Sequence, residues 1–288
     1  MWIVYALSAA VSSAVSRSFI KQAGQTASSR SIVFCRSFFG AVLAWILLLA
    51  VGVPSVESGF FLSVLAACVF DVTAILCMSR ALRSGDMARS VPLLSFTPVF
   101  LLLTGQLIVG ETPGLQGVLG VAVIVTGSYF LNLRPRRRSM LEPIKLLLSS
   151  NSARLMLLCA LLFAFTGPFF KQAIHRSDPF FTMAMSLSIS TLMMTLIQWG
   201  TGGSIMKILP DASSWKPLLG VGITVFFVAL CVNLALEAGL VSYVISLKRL
   251  SILMNIAIGA LFFDEEDLLQ NLFAGSIMVA GAALITLS

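Results

Sequence analysis

Long apolar runs, separated by short stretches rich in glycine, proline, serine or charge, dominate the pattern of hydrophobic and polar positions along the chain. An α-helix needs about 20 apolar residues to cross a hydrocarbon core of about 30 Å. Ten segments have this length, and none shows the strict alternation that membrane-spanning β-strands require. The predicted spans are Trp2–Ile20, Ile32–Val53, Phe60–Ser79, Ala88–Val109, Leu115–Leu133, Leu155–Ala173, Pro179–Trp199, Leu218–Leu236, Leu240–Phe263 and Leu268–Leu287.

Composition supports a membrane environment. Apolar residues make up 58% of the 288 positions, and charged residues only 11%, whereas soluble domains carry about 25% charged residues. A soluble fold of this composition would expose apolar patches larger than monomers tolerate. The sequence therefore predicts an all-α integral membrane protein with ten transmembrane helices in a lipid bilayer.

The net charge of +7 comes from basic residues between the apolar runs, with a dense group at Arg134, Arg136, Arg137 and Arg138. Basic loops beside spanning helices set membrane orientation, so we expect no nucleic-acid partner. Most basic residues fall on one predicted side, and the other side has little beyond Lys171 and Arg176. We expect a multi-pass protein of the inner (plasma) membrane, with both termini outside and the basic linker in the cytoplasm.

An internal repeat divides the chain into two halves. Phe19–Ala23 recurs as Phe169–Ala173 near the end of the sixth span. At one constant offset, Leu93, Gly105, Glu111 and Gly127 match Leu247, Gly259, Glu265 and Gly281. We predict an N-terminal five-helix repeat at residues 1–133, a basic linker at 134–151 and a C-terminal repeat at 152–288. Because five is odd, the second repeat enters the membrane inverted, which is a common basis for alternating access.

The repeat carries a family resemblance, in glycine, proline and acidic positions around the fourth and ninth spans. These are Pro92, Pro98, Gly105, Gly110, Glu111, Gly117, Gly120 and Gly127, then Leu247, Gly259, Asp264, Glu265, Gly275 and Gly281, with Arg36–Phe38 at the start of the second span. The chain resembles the EamA-type branch of the drug/metabolite transporter superfamily. The resemblance implies a ten-helix transporter that moves metabolites by alternating access without ATP, but it does not name the substrate.

Two adjacent cations, Lys248 and Arg249, lie within the predicted ninth span. Lys and Arg can extend their charge toward the interface, but each costs about 3 kcal/mol near the bilayer centre, and two neighbours diverge around a helix. We therefore predict that they line a wet cavity and bind an anionic solute, with Ser246 and Asn255 as further ligands on the same helix. The pair also resembles the Lys-Arg pair that grips phosphate in plant triose-phosphate translocators.

Two further charges lie in predicted spans. Asp71 is near the centre of the third span. It either carries a coupling proton or acts as a counter-ion for Lys248 or Arg249, and both interpretations stay open. Arg36 is a candidate substrate ligand that is also close enough to a helix end to extend to the interface.

Enzyme and metal signatures are missing from the sequence. It has no P-loop, no Ser/His/Asp set and no HExxH motif, and its five cysteines form no CxxC or Cys/His cluster. We predict a chain without catalytic residues, metal or cofactor, present as a monomer or homodimer.

The expected function is secondary transport of a small, anionic organic metabolite. One alternative is export of amino acids or amphipathic drugs, with the cations serving structure. Another, of a different class, is a membrane assembly factor with no transport cycle.

Overall fold

A computed structural model describes residues 1–84, 91–131, 150–200, 215–254 and 268–288, and these residues form helices without a strand. The α-helices among them are α1 (Trp2–Ala23), α2 (Ser29–Val51), α3 (Phe60–Ser84), α4 (Thr97–Val109), α5 (Leu115–Leu131), α6 (Asn151–His175), α7 (Pro179–Gly200), α8 (Trp215–Ala238), α9 (Val241–Lys248) and α10 (Leu268–Thr286). A 3-10 helix, Val91–Phe96, precedes α4. The prediction of an all-α membrane protein is confirmed in its coarse form.

Seven described helical stretches are long and apolar enough to cross a membrane. They are Trp2–Ala23, Ser31–Val51, Phe60–Met78, Pro92–Val109, Asn151–His175, Pro179–Gly200 and Trp215–Ala238, while Leu115–Leu131 and Phe273–Thr286 are shorter apolar helices. Most predicted spans correspond to one helix, with ends displaced by a turn or slightly more. The exceptions are the predicted spans Ala88–Val109 and Leu240–Phe263, which the structure interrupts.

Local signals at the helix ends explain several boundaries. The side chain of Ser28 accepts a hydrogen bond from the Ser31 N–H at 3.1 Å and caps α2. Asp178 caps α7 in the same way through the Phe181 N–H, at 2.6 Å. Gly110 ends α4 with a left-handed backbone (φ +75°), a conformation that glycine adopts without steric cost.

The described helices group into two compact units. The first unit comprises Met1–Cys68 and Phe170–Ala238, and the second comprises Val69–Phe169 and Gly239–Ser288. Each unit thus draws helices from both predicted sequence repeats, and α3 and α6 each contribute residues to both units. The predicted domain division stays a prediction, and residues 134–149 of the predicted linker lie outside the described residues.

Side chains fill the core of the first unit, which is built from α1, α2, α7, α8 and parts of α3 and α6. Phe60 stacks on Phe181 with ring centroids 5.1 Å apart. Phe19 lies against Gly220, where a Cβ atom would come within 2.6 Å of its ring. Large side chains therefore set the helix spacing in this unit.

Main chains approach each other directly in the second unit. A Cβ atom at Gly120 of α5 would lie 2.8 Å from the Gly281 carbonyl oxygen, and one at Gly281 would lie 2.8 Å from the Gly120 carbonyl oxygen. Helices α5 and α10 therefore pack closely at these glycines.

Candidate substrate site

The ninth helix stops where the two cations begin. α9 ends at Lys248, and the next N–H groups, of Arg249 and Leu250, bond to carbonyls three residues back at 3.0 Å each. Residues 251–254 are helical again. The prediction of one continuous helix from Leu240 to Phe263 was wrong, because the chain tightens into a turn here although no glycine or proline lies at the break.

The helical segment ahead of α4 is interrupted as well. Pro92 lies in the 3-10 helix, and Pro98 lies in the first turn of α4. Proline cannot donate a helical hydrogen bond and clashes with the preceding turn, which explains the break. Leu93 lies in this 3-10 helix, and Leu247, which matches it at the constant sequence offset, lies two residues before the turn at Arg249. Helix interruptions at matching sequence positions are a feature that points to binding sites in transporters.

Arg249 connects the two interruptions within the second unit. Its Nη2 donates to the Leu94 carbonyl oxygen at 2.9 Å. The same oxygen accepts the Thr97 hydroxyl at 2.8 Å. The residue four positions after Leu94 is Pro98, which has no N–H to donate to this carbonyl. Arg249 therefore supplies a donor that the main chain lacks at this place.

Asp71 and Arg249 share one neighbourhood. Both act electrostatically on the thiol of Cys159, and that thiol also donates to the Ala74 carbonyl at 3.2 Å. Residues of α3, α6 and the end of α9 thus come together in the second unit. Asp71, Lys248 and Arg249 all have interaction partners. Lys248 and Asp71 are half-buried, so neither lies open to the membrane as an isolated charge.

Ser246 and Ser242 lie one helical turn apart on α9 and are fully buried. Neither hydroxyl has a hydrogen-bond partner among the described residues. Many other helical hydroxyls donate to their own helix, as Ser188 does to the Ala184 carbonyl at 2.8 Å, although Ser13 and Thr182 also have no described partner. Two orphan hydroxyls next to the cations are polar groups that still need a partner.

The two remaining predicted ligands are not tested by the described geometry of this unit. Arg36 is half-buried on α2 and belongs to the first unit. Asn255 lies outside the described residues. The roles of Lys248, Arg249, Ser246, Arg36 and Asn255 as ligands stay predictions.

Glu111 is a polar residue whose importance the sequence did not reveal. Its side chain is only 7% exposed, and both carboxylate oxygens accept the Val241 N–H, at 3.0 and 2.9 Å. The signal was present as the spacing from Gly105 to Gly110-Glu111, which the sequence offered only as a family resemblance. Lys171, expected beside a helix end, is also buried, at 6% exposure within α6.

Chemically, the described residues offer cations, a carboxylate and unpartnered hydroxyls, but no group of histidine, cysteine and acidic side chains suited to a metal ion. Such a set can bind and release a polar solute. It belongs to a chain in which seven described helical stretches are long and apolar enough to cross a membrane.

Residues 1–133 and 152–287 match the EamA-like transporter family, and the chain belongs to that family. It is therefore a membrane transport protein of the drug/metabolite transporter superfamily. The chain is similar to the pseudopaline exporter CntI of Pseudomonas aeruginosa (strain UCBPP-PA14), with 22% identity over 286 residues, which cover 99% of this chain and 93% of the relative. A solved crystal structure aligns with a TM-score of 0.79 at 14% identity, over 99% of this chain and 98% of that one, and shows the same fold.

Proposed function

We propose that the chain is a secondary transporter that exports a small anionic metabolite by alternating access. It does so through ten transmembrane helices arranged as two inverted five-helix repeats in the inner (plasma) membrane, with the basic linker in the cytoplasm. The family supports membrane transport, and the similarity to a pseudopaline exporter favours the outward direction.

The observation that carries the anionic substrate is the position of Lys248 and Arg249 at the end of α9, where the helix is broken. Two cations in a spanning segment are costly unless they serve a site. Arg249 has Nη2 committed to the Leu94 carbonyl, and Lys248 supplies a point charge beside it. Ser246 adds a buried hydroxyl that a solute's oxygen can partner.

Asp71 fits the site as a counter-ion for Arg249 in the absence of solute. Both act on the Cys159 thiol, which places them in the same part of the second unit. An arriving anion would compete with Asp71 for the cations, and protonation of Asp71 would ease that exchange. Proton coupling through Asp71 follows from this arrangement.

A second function has one specific observation in its favour. Arg249 donates to a main-chain carbonyl, as a purely structural cation would. Under this alternative the chain exports amino acids or amphipathic drugs, and Lys248 and Arg249 hold the broken helices together.

A thermal-shift screen on the detergent-purified protein distinguishes the two. The probes are glycerol 3-phosphate, citrate, glutamine and tetraphenylphosphonium, tested on the wild type, Lys248→Gln and the control Lys216→Gln, which removes an exposed lysine of α8. Stabilisation by glycerol 3-phosphate or citrate that disappears only in Lys248→Gln supports the anion transporter. Stabilisation by glutamine or tetraphenylphosphonium that is equal in all three proteins contradicts it.

A further inference from the structure

Glu111 and Val241 join the end of α4 to the start of α9. Val241 is the first residue of α9, and the cap position before it is Leu240, whose side chain makes no cap hydrogen bond. The first N–H groups of a helix have no partner within the helix. Glu111 supplies one from a distant part of the sequence, with both carboxylate oxygens within 3.0 Å of the Val241 nitrogen.

Two glycines allow the carboxylate to reach this place. Gly110, with its positive φ, reverses the chain at the end of α4, and the Glu111 N–H then bonds to the Gly105 carbonyl at 3.2 Å. A Cβ atom at Gly105 would lie 3.1 Å from Oε2 of Glu111, which is tighter than ordinary contact. The two glycines, Gly105 and Gly110, thus allow the Glu111 carboxylate to reach the start of another helix.

Packing holds the same end of α9. The phenol of Tyr243 occupies the space that a side chain at Gly117 would fill, and a Cβ atom at Gly167 would lie 2.7 Å from Cγ1 of Val241. These contacts come from α5 and α6, while Glu111 follows α4. The charged hydrogen bond is the polar part of this support and is directed at the helix start, where negative charge is favourable.

We propose that Glu111 is a positioning residue for the substrate site at the other end of α9. The helix has eight residues from Val241 to Lys248, so at about 1.5 Å per residue its ends are about 10 Å apart. A rod this short transmits any displacement of its start to Lys248 and Arg249. Glu111 therefore sets the position of the cations without touching the solute, an inference that rests on the proposed anion-binding function.

Two variants remove the bond from opposite sides. Glu111→Gln keeps the side-chain size but loses the charge. Val241→Pro removes the N–H and replaces the valine side chain, which packs at Gly167, with the proline ring. The backbone suits it, because proline is favoured at the first helical position and Leu240 already has extended geometry (φ −65°, ψ 137°). Glu237→Gln is the control, since Glu237 is an exposed glutamate at the end of α8.

Hydrogen–deuterium exchange of residues 240–250 and citrate affinity are measured together on the detergent-solubilised full chain. We expect about tenfold faster exchange at the start of α9 in both variants, with α7 unchanged. Citrate affinity should fall about tenfold, because a small misplacement of binding groups has a large effect. Glu111→Asp should recover part of both, since it keeps the charge on a shorter side chain.

The results separate this inference from the proposed function. If Lys248→Gln loses citrate binding while Glu111→Gln matches Glu237→Gln in exchange and affinity, the positioning role is wrong. If exchange at α9 rises but citrate binds equally, or not at all, in Glu111→Gln, Lys248→Gln and the wild type, the anion site is wrong and Glu111 is an anchor of α9 alone. If Glu111→Gln does not yield folded protein, Val241→Pro takes its place as the variant without the bond. Glu111→Asp then gives the intermediate case, with the charge kept on a shorter side chain.

Discussion

The contacts between helices inside the first compact unit of this transporter differ from those inside the second. In the first unit, large side chains meet glycines and one another, as Phe19 meets Gly220 and Phe60 meets Phe181. In the second unit, a buried carboxylate also bonds to the main chain of another helix, as Glu111 does to Val241. Polar groups inside a membrane protein are retained at a cost. The proposed substrate site lies in this second unit, where such buried polar bonds occur.

The interruptions of α4 and α9 explain why the second unit needs these bonds. Every break in a helix leaves main-chain groups without helical partners. In lipid no water is present to bond to these main-chain groups, so side chains must supply the hydrogen bonds. Arg249 and Thr97 do so at the Leu94 carbonyl, and the three predictions below test this contrast between the units.

The largest effect is expected at Arg249. Arg249→Gln leaves the Leu94 carbonyl with one donor fewer and removes a charge near Asp71, so we expect the free energy of unfolding to fall by about 3 kcal/mol. Its counterpart in the first unit is Arg176, which donates to the Gly59 carbonyl, also at 2.9 Å, in an exposed setting. Arg176→Gln should cost less than about 1 kcal/mol, because water replaces it. Thermal unfolding without ligand measures both variants. If Arg249→Gln and Arg176→Gln lose equal stability, the contrast between the two units is wrong.

A smaller effect is expected from adding one methyl group at a glycine. Gly120→Ala in the second unit places Cβ 2.8 Å from a carbonyl oxygen, so α5 and α10 must separate, at a cost of about 2 kcal/mol. Gly40→Ala in the first unit places Cβ 3.4 Å from a methyl group of Leu187, which is ordinary contact. It should be close to neutral. Melting temperatures of both variants are measured in the same detergent. If Gly40→Ala lowers the melting temperature as much as Gly120→Ala, helix packing at these glycines is equally tight in the two units and the contrast is wrong.

The smallest effect is expected at buried hydroxyls. Thr104 donates to the Ala164 carbonyl of α6 at 2.6 Å, whereas Thr191 donates to the Leu187 carbonyl of its own helix at 2.7 Å. Thr104→Val should cost about 1 kcal/mol, because Pro168 has no N–H to offer the Ala164 carbonyl within α6. Thr191→Val should cost only a few tenths, because the Leu187 carbonyl keeps its place in the hydrogen bonding of α7. The reverse order in thermal unfolding would contradict the importance of bonds between helices in the second unit.

Much of the fold was predictable because a lipid bilayer demands long apolar segments. The lengths of α1, α2, α7 and α8 follow from hydropathy alone, and Pro92 and Pro98 signalled the break before α4. The break at Arg249 was not predictable, since no glycine or proline marks it and the tightened turn depends on contacts with Leu94, far away in the sequence.

The candidate site was predictable only in part, for a similar reason. Adjacent cations in an apolar segment are visible in any sequence, so Lys248 and Arg249 could be found from their cost in lipid. The role of Glu111 could not be found in this way, because its partner is a backbone N–H that no side-chain pattern reveals. Buried hydroxyls such as Ser246 are common in membrane helices, and only the structure shows that this one has no described partner.

Citrate counterflow into proteoliposomes tests the central claim most directly. Purified wild type, Lys248→Gln and Lys216→Gln are reconstituted at equal density, loaded with unlabelled citrate and given labelled citrate outside, with glycerol 3-phosphate as the second anion. We predict saturable uptake of at least one of these anions in the wild type and Lys216→Gln, with loss of about 90% or more in folded Lys248→Gln. Uptake of an anion that is unchanged in Lys248→Gln, or no uptake of either anion by a protein that does exchange labelled glutamine, would contradict the claim.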